Sequence, residues 1–191
     1  NDGKFYPLDS PIILKSTRNK QRPRKVAEKP TLATSLRKLK EFHAVYRQLI
    51  KEHVLRDLRK LTPETFEKFA RCLLEVYGFE EMRVTNVTDD GGIDGFGKLK
   101  VGLSHMKVAF QCKRWTTSNV GRPEIDKFRG AIQGEYEQGI FLTTAGFALG
   151  AKDVSIKAGA VPIILIDGPS IVELMIEKNF GVERELLPIY T

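Results

Sequence analysis

The chain has 191 residues and carries 31 Lys/Arg against 24 Asp/Glu, a net charge of +7, with 41% apolar and 29% charged residues. That length accommodates one well-cored domain with an extra element and excludes two large ones, and the composition excludes a disordered or collagen-like chain. The longest apolar stretch, 161–166, is far below the roughly 18 residues of a membrane span, and the chain opens without a secretory leader or an initiator Met, as a fragment or processed product would. Two cysteines, Cys72 and Cys112, without a C-x-x-C pair, and three scattered histidines (His43, His53, His105) exclude a disulfide scaffold or a zinc site and point to a reducing cytoplasm.

The positive charge is confined to one end. Residues 1–60 hold 16 Lys/Arg and 6 Asp/Glu, a net +10, and residues 61–191 hold 15 and 18, a net −3. A polyanion-binding arm on an acidic body has this asymmetry, and so does a solvated basic linker. On the first reading, removing residues 1–60 weakens polyanion binding and flattens its salt dependence. Residues 1–33 mix Pro7, Pro11, Pro23 and Pro30 with a Lys/Arg run and read as an extended arm, with a short strand at 11–14. In 34–60, Leu36, Leu39, Phe42, Tyr46, Leu49, Ile50, Val54 and Leu58 recur at three- and four-residue steps, which predicts a long amphipathic helix. Arg37, Lys38, Lys40, Arg47, Lys51, Arg56 and Arg59 occupy its other face, facing either DNA or solvent.

Thr62 followed by Pro63 and Glu64 starts a second helix, and Gly78 ends it. Strands are expected at 82–88, 93–96 and 107–114, the first two joined by the turn Asp89-Asp90-Gly91-Gly92. Pro123 opens a helix to about 138, followed by a strand at 140–143, a helix at 148–158, a buried strand at 162–166 and a helix at 169–178. Residues 179–191 remain as a tail. Strands mixed with crossover helices imply an α/β sandwich with a mixed central sheet.

Within 108–113, period-two alternation places Val108, Phe110 and Cys112 on one face of a strand and Ala109, Gln111 and Lys113 on the other. A Lys on such a strand is costly to bury unless an acid or a ligand faces it, and Asp94, seventeen residues before Gln111, is the available acid. Two readings fit. Asp94 and Lys113 form a structural salt bridge, or a carboxylate, an amide and an ammonium converge on a divalent cation and a phosphodiester.

The blocks Asp90-Gly91-Gly92-Ile93-Asp94-Gly95, Gln111-Cys112-Lys113-Arg114-Trp115, Asn119-Val120-Gly121-Arg122-Pro123-Glu124 and Gly139-Ile140-Phe141-Leu142-Thr143-Thr144 together resemble the catalytic domain of Mrr-like restriction endonucleases, within the PD-(D/E)xK nuclease superfamily. The resemblance covers about 61–178. It implies a restriction-endonuclease-like three-layer sandwich and an endodeoxyribonuclease using Mg²⁺ or Mn²⁺, most naturally a modification-dependent restriction enzyme. Repair, junction processing, mobile-element defence or a DNA-binding module with a decayed site are its alternatives.

The resemblance also assigns roles. Asp94 becomes the metal-ligating aspartate, Gln111 replaces the superfamily's second acidic ligand, and Lys113 is the motif lysine. The Cys112 carbonyl is a further ligand, and Glu67 is the helical glutamate near the metal. Arg114, Trp115, Arg122 and Lys127 are candidate contacts to double-stranded DNA, methylated or not; packing is the favoured reading of Trp115, and solvated surface is the alternative for the other three. Thr143 and Thr144 lie near the site or cap a helix, and Asp89 and Asp90 read as turn formers. Family analogy adds a homodimer for cutting both strands, and a separate recognition module that residues 1–60 are too short to supply.

Overall fold

The computed structural model describes residues 31–85 and 92–188; the expected strand at 11–14 and the turn residues Asp89 to Gly91 lie outside them. Two compact units are distinguished, residues 1–40 and 41–191. Of the first, residues 31–40 are described. They begin helix α1, Leu32–Leu58, whose first turn is closed by Thr31: its Oγ1 accepts from the Thr34 N–H at 3.2 Å and its carbonyl from the Ser35 N–H at 2.9 Å.

In the second unit, α2 (Pro63–Val76) starts where Thr62 accepts the Thr65 N–H, with Pro63 in the first turn. It stops at Gly78, whose φ of 89° is the left-handed conformation such a stop requires. The sheet then runs β1 (Phe79–Val84), β2 (Gly95–Val101), β3 (Ser104–Lys113), β4 (Gln138–Thr143) and β5 (Ile163–Ile166). Helices α3 (Arg122–Ile132), α4 (Leu149–Ser155) and α5 (Gly168–Lys178) connect and follow the last strands. Spatial order equals chain order, β1 to β5. The β1–β2 and β2–β3 pairs are antiparallel, and β3–β4 and β4–β5 are parallel. The sheet is therefore mixed, with β3 at its centre.

Two cores cover its faces. Phe66, Ala70, Leu73 and Leu74 of α2 and Ile171, Val172 and Met175 of α5 pack with Leu58 against Val108, Phe110, Cys112, Ile140 and Leu142. On the other side, Ile125, Phe128 and Ile132 of α3 and Ala151 of α4 pack against Ala109, Phe141 and Ile163. This is a three-layer α/β sandwich, and the alternation read along β3 sets which residue enters which layer.

Several boundaries depart from expectation. The expected short strand at 93–96 is the start of a seven-residue β2, which pairs with β3 as far as Val101↔Ser104. It joins β3 through Gly102 and Leu103, with Gly102 at φ 60°. Gly95 and Gly97 make this segment look like a loop in sequence, yet both are needed: a Cβ on Gly95 would strike the Phe110 ring, and one on Gly97 the Met82 sulfur. Helix α3 ends at Ile132 rather than near 138, and Gly134 just beyond it has φ 88°.

The stripe on α1 departs most. Leu58 is buried and Val54 and Leu55 pack partly against the core, but Phe42, Tyr46 and Leu49 are exposed. Within 41–58, the apolar face packs only in the last turns. Arg47 and Lys51, expected to face DNA or solvent, both pair with Glu173 of α5; their charges, the Lys51 hydrogen bond foremost, hold that carboxyl below its ordinary range. Because Leu58 belongs to the core, a truncation through residue 60 would remove fold as well as charge.

Candidate active site

The site forms where β3 reaches the C-terminal end of the parallel strands. Asp94 immediately precedes β2. Its N–H donates to the Phe110 carbonyl at 3.0 Å, while the next residue, Gly95, is the register partner of Phe110. Two residues thus stand opposite one, as in a β-bulge, a device that re-aims a side chain. The redirected Asp94 carboxylate accepts the Cys112 N–H, at 2.6 Å from Oδ2. Since a strand residue's N–H and C=O point to the same side, the Cys112 carbonyl faces the Asp94 side as well.

The next residue back is Gln111. Its side chain is 2% exposed, on the sheet face covered by α3, and its Oε1 is buried without a hydrogen-bond donor. The amide nitrogen lies against Gly92, where an added Cβ would stand 2.6 Å from Nε2, and Gly92 has φ 100°. Gly92, expected as a turn residue, makes room for Gln111.

Lys113 ends β3 on that same face. Its Nζ lies 3.8 Å from Oε2 of Glu124, in the first turn of α3, and both side chains are about one-third exposed. Glu124, within the block 119–124, has no role that its sequence position indicates. Glu67 reaches the site from α2, on the opposite layer. Partial burial raises its pKa, and repulsion from Asp94 and then Glu64 adds to this, while Lys113 opposes it. Asp94 and Lys113 are therefore both within electrostatic reach of Glu67. The Cys112 thiol is pushed well up, by burial first and then by Asp94 and Glu67, and remains protonated.

The four expected DNA contacts divide. Arg122 and Lys127 are exposed on α3, Arg122 pairing with Asp126 at 2.9 Å. Trp115 is half-buried and packs against the α3-side core. Arg114 donates from Nη1 to the Arg59 carbonyl at 2.9 Å. Thr143 and Thr144 are fully buried and cap no helix: their hydroxyls donate to the Lys113 and Trp115 carbonyls, each at 2.7 Å.

Among the described residues no three His, Cys, Asp or Glu side chains form a metal-binding group. The oxygen donors here are instead two carboxylates, an orphaned buried amide oxygen and a main-chain carbonyl. Such hard oxygens suit Mg²⁺ far better than Zn²⁺, and they leave coordination positions for water or a phosphate.

A mixed sheet with this end-of-strand constellation defines a restriction-endonuclease-like fold. In agreement, the solved modification-dependent restriction endonuclease AspBHI aligns with a TM-score of 0.57 at 26% identity, over 69% of this chain and 36% of that one. The MspJI restriction endonuclease, solved with a 27-mer oligonucleotide, aligns at 0.56 and 23% identity over 69% of this chain and 33% of its own, a likeness of fold. The Mrr catalytic-domain family model, described as restriction endonuclease, matches residues 58–175. The type IV methyl-directed restriction enzyme EcoKMrr of Escherichia coli K12 is 37% identical over 149 residues, 75% of this chain and 47% of that enzyme. The chain belongs to the Mrr-like restriction endonuclease catalytic-domain family. It spans about half the length of that curated relative.

Proposed function

We propose that this chain is the catalytic part of a Mg²⁺-dependent endodeoxyribonuclease, modification-dependent in the manner that the name of its E. coli relative indicates. One observation carries the reading: Gln111 buries an amide oxygen without a donor, on the strand whose neighbouring residues bind Asp94 and present Lys113. A structural glutamine would satisfy that oxygen, since leaving a buried acceptor unpaired costs about 1–3 kcal/mol. Asp94, Gln111, the Cys112 carbonyl and Glu67 would hold the ion. When bound, a divalent cation neutralises phosphate charge and acidifies water.

The protein's own groups do the rest. Lys113 donates ammonium hydrogen bonds that hold the scissile phosphate oxygens and orient the attacking water, without giving up a proton to it, and Glu124 keeps that ammonium aligned. Asp94 is fixed in its aim by the Cys112 N–H. Arg122 and Lys127 meet duplex phosphates, with Trp115 at the margin. The working division is a basic arm at 1–33, a helix at 34–60, the nuclease domain at 61–178 and a tail at 179–191, with two copies pairing to cut both strands in the cytoplasm. No described helix is long and apolar enough to cross a membrane.

Incubation with methylated and unmethylated plasmid, with and without Mg²⁺, beside Lys113→Ala tests this reading. Cleavage of the methylated plasmid with Mg²⁺ alone is expected, and Lys113→Ala lowers it by roughly 100-fold or more. Unchanged cleavage by Lys113→Ala refutes the assignment.

A further inference from the structure

Lys113 projects from the last residue of β3, where a strand would ordinarily fray. Here it is tied down. The Lys113 carbonyl accepts from Thr143 Oγ1 at 2.7 Å, from the Trp115 N–H at 3.0 Å and from the Thr144 N–H at 3.3 Å. Two residues on, the Trp115 carbonyl accepts Thr144 Oγ1 at 2.7 Å. Thr143 Oγ1 in turn accepts the Ala145 N–H at 3.1 Å, so its hydroxyl bridges two chain segments.

Thr144 is itself held from outside the sheet. Its carbonyl accepts both Nε and Nη2 of Arg59, at 3.2 and 3.1 Å, from the turn that follows α1. Arg114, between Lys113 and Trp115, returns a bond to the Arg59 carbonyl at 2.9 Å. The circuit is closed. It links the end of α1, the end of β3 and the end of β4, residues 85 and 55 positions apart along the chain. Each threonine is fully buried, and its hydroxyl is spent on a main-chain carbonyl, that of Lys113 itself or of Trp115 two residues on, more restraint than strand pairing alone requires.

We propose that Thr143, Thr144 and Arg59 are positioning residues for Lys113: together they fix the backbone from which its ammonium group projects. The proposal rests on the nuclease reading of Lys113 and adds what makes that lysine effective. Side chains that hold a reacting group act on turnover rather than on substrate binding, and a displacement near 1 Å costs roughly 100-fold in rate.

The test compares wild type, Thr143→Val, Thr143→Ser and Arg59→Ala in Mg²⁺-dependent cleavage of duplex DNA, with kcat and KM determined separately. Trp115, the one tryptophan of the chain, reports the same segment by fluorescence without metal or DNA. Thr143→Val and Arg59→Ala are expected to lose kcat, the former by roughly 100-fold, with KM near the wild-type value and a shifted Trp115 emission. Thr143→Ser, which keeps the hydroxyl, restores kcat. Folded variants that cut at the wild-type rate overturn the proposal, even if they melt earlier, because the hydroxyl then serves stability alone. If Thr143→Val does not fold, Arg59→Ala decides on the same criteria. If wild type itself does not cut DNA, the nuclease reading fails, and unshifted Trp115 emission in the variants would separately overturn the positioning of this segment by Thr143 and Arg59.

Discussion

The two faces of β3 carry opposite chemistry on one six-residue segment. Val108, Phe110 and Cys112 enter the core beneath α2 and α5, whereas Ala109, Gln111 and Lys113 face the α3 layer with a buried amide and a half-covered ammonium. The apolar face fixes the register, because a slip by one residue would drive Gln111 and Lys113 into the α2 core. The polar face can therefore keep an unsatisfied group that stability alone would remove. Stability and chemistry are divided between alternate residues of a single strand.

That division can be broken from either side. Phe110→Ala should have the largest effect, about 3–5 kcal/mol of lost stability in a denaturant titration, since Phe110 is fully buried. Gln111→Leu should do the converse. Cleavage falls by roughly 100-fold while the melting temperature holds or rises, because an orphaned acceptor leaves the interior. A marked fall in melting temperature would show Gln111 to be structural.

Gly92→Ala should be milder, roughly tenfold in cleavage: φ is 100° and the new Cβ would meet Gln111 Nε2 at 2.6 Å. Cleavage at the wild-type rate would detach Gly92 from the site.

The smallest effect is expected at Glu67, whose pKa burial raises above the ordinary carboxylate value. The folded, metal-free protein then binds this proton more tightly than the unfolded chain. Its contribution to stability is favourable at low pH and is lost as pH climbs from the ordinary carboxylate value through the raised one. Glu67→Gln should therefore melt slightly higher than wild type at neutral pH and equally at pH 3, while cutting DNA more slowly. A lower melting temperature at neutral pH would contradict this.

The sheet's central features were legible where local pattern suffices. Alternation placed β3 and its two faces, and Thr62-Pro63 with Gly78 bracketed α2. Pattern failed where the cause is distant. The glycines of β2 are explained only by Phe110 and Met82 across the strands, and nothing local marks Phe42, Tyr46 and Leu49 of α1 as exposed. The same holds for the site. Asp94, Gln111 and Lys113 are a weak signal by type and spacing and are singled out by the family resemblance, whereas Glu124, Thr143, Thr144 and Arg59 contact Lys113 or its neighbours only across separations of 11 to 85 residues. A threonine pair ending a strand looks like a helix cap until its acceptors are seen.

Spatial order following chain order lets the sheet grow strand by strand as the polypeptide is made, each new strand docking on the one before. The hydroxyls that bind the Lys113 and Trp115 carbonyls come from the end of β4 and the residue after it, so a nascent chain ending just short of Thr143 contains all of β3 yet lacks both of these bonds. Chain order thus leaves the end of β3 without these bonds until β4 and the residue after it have docked.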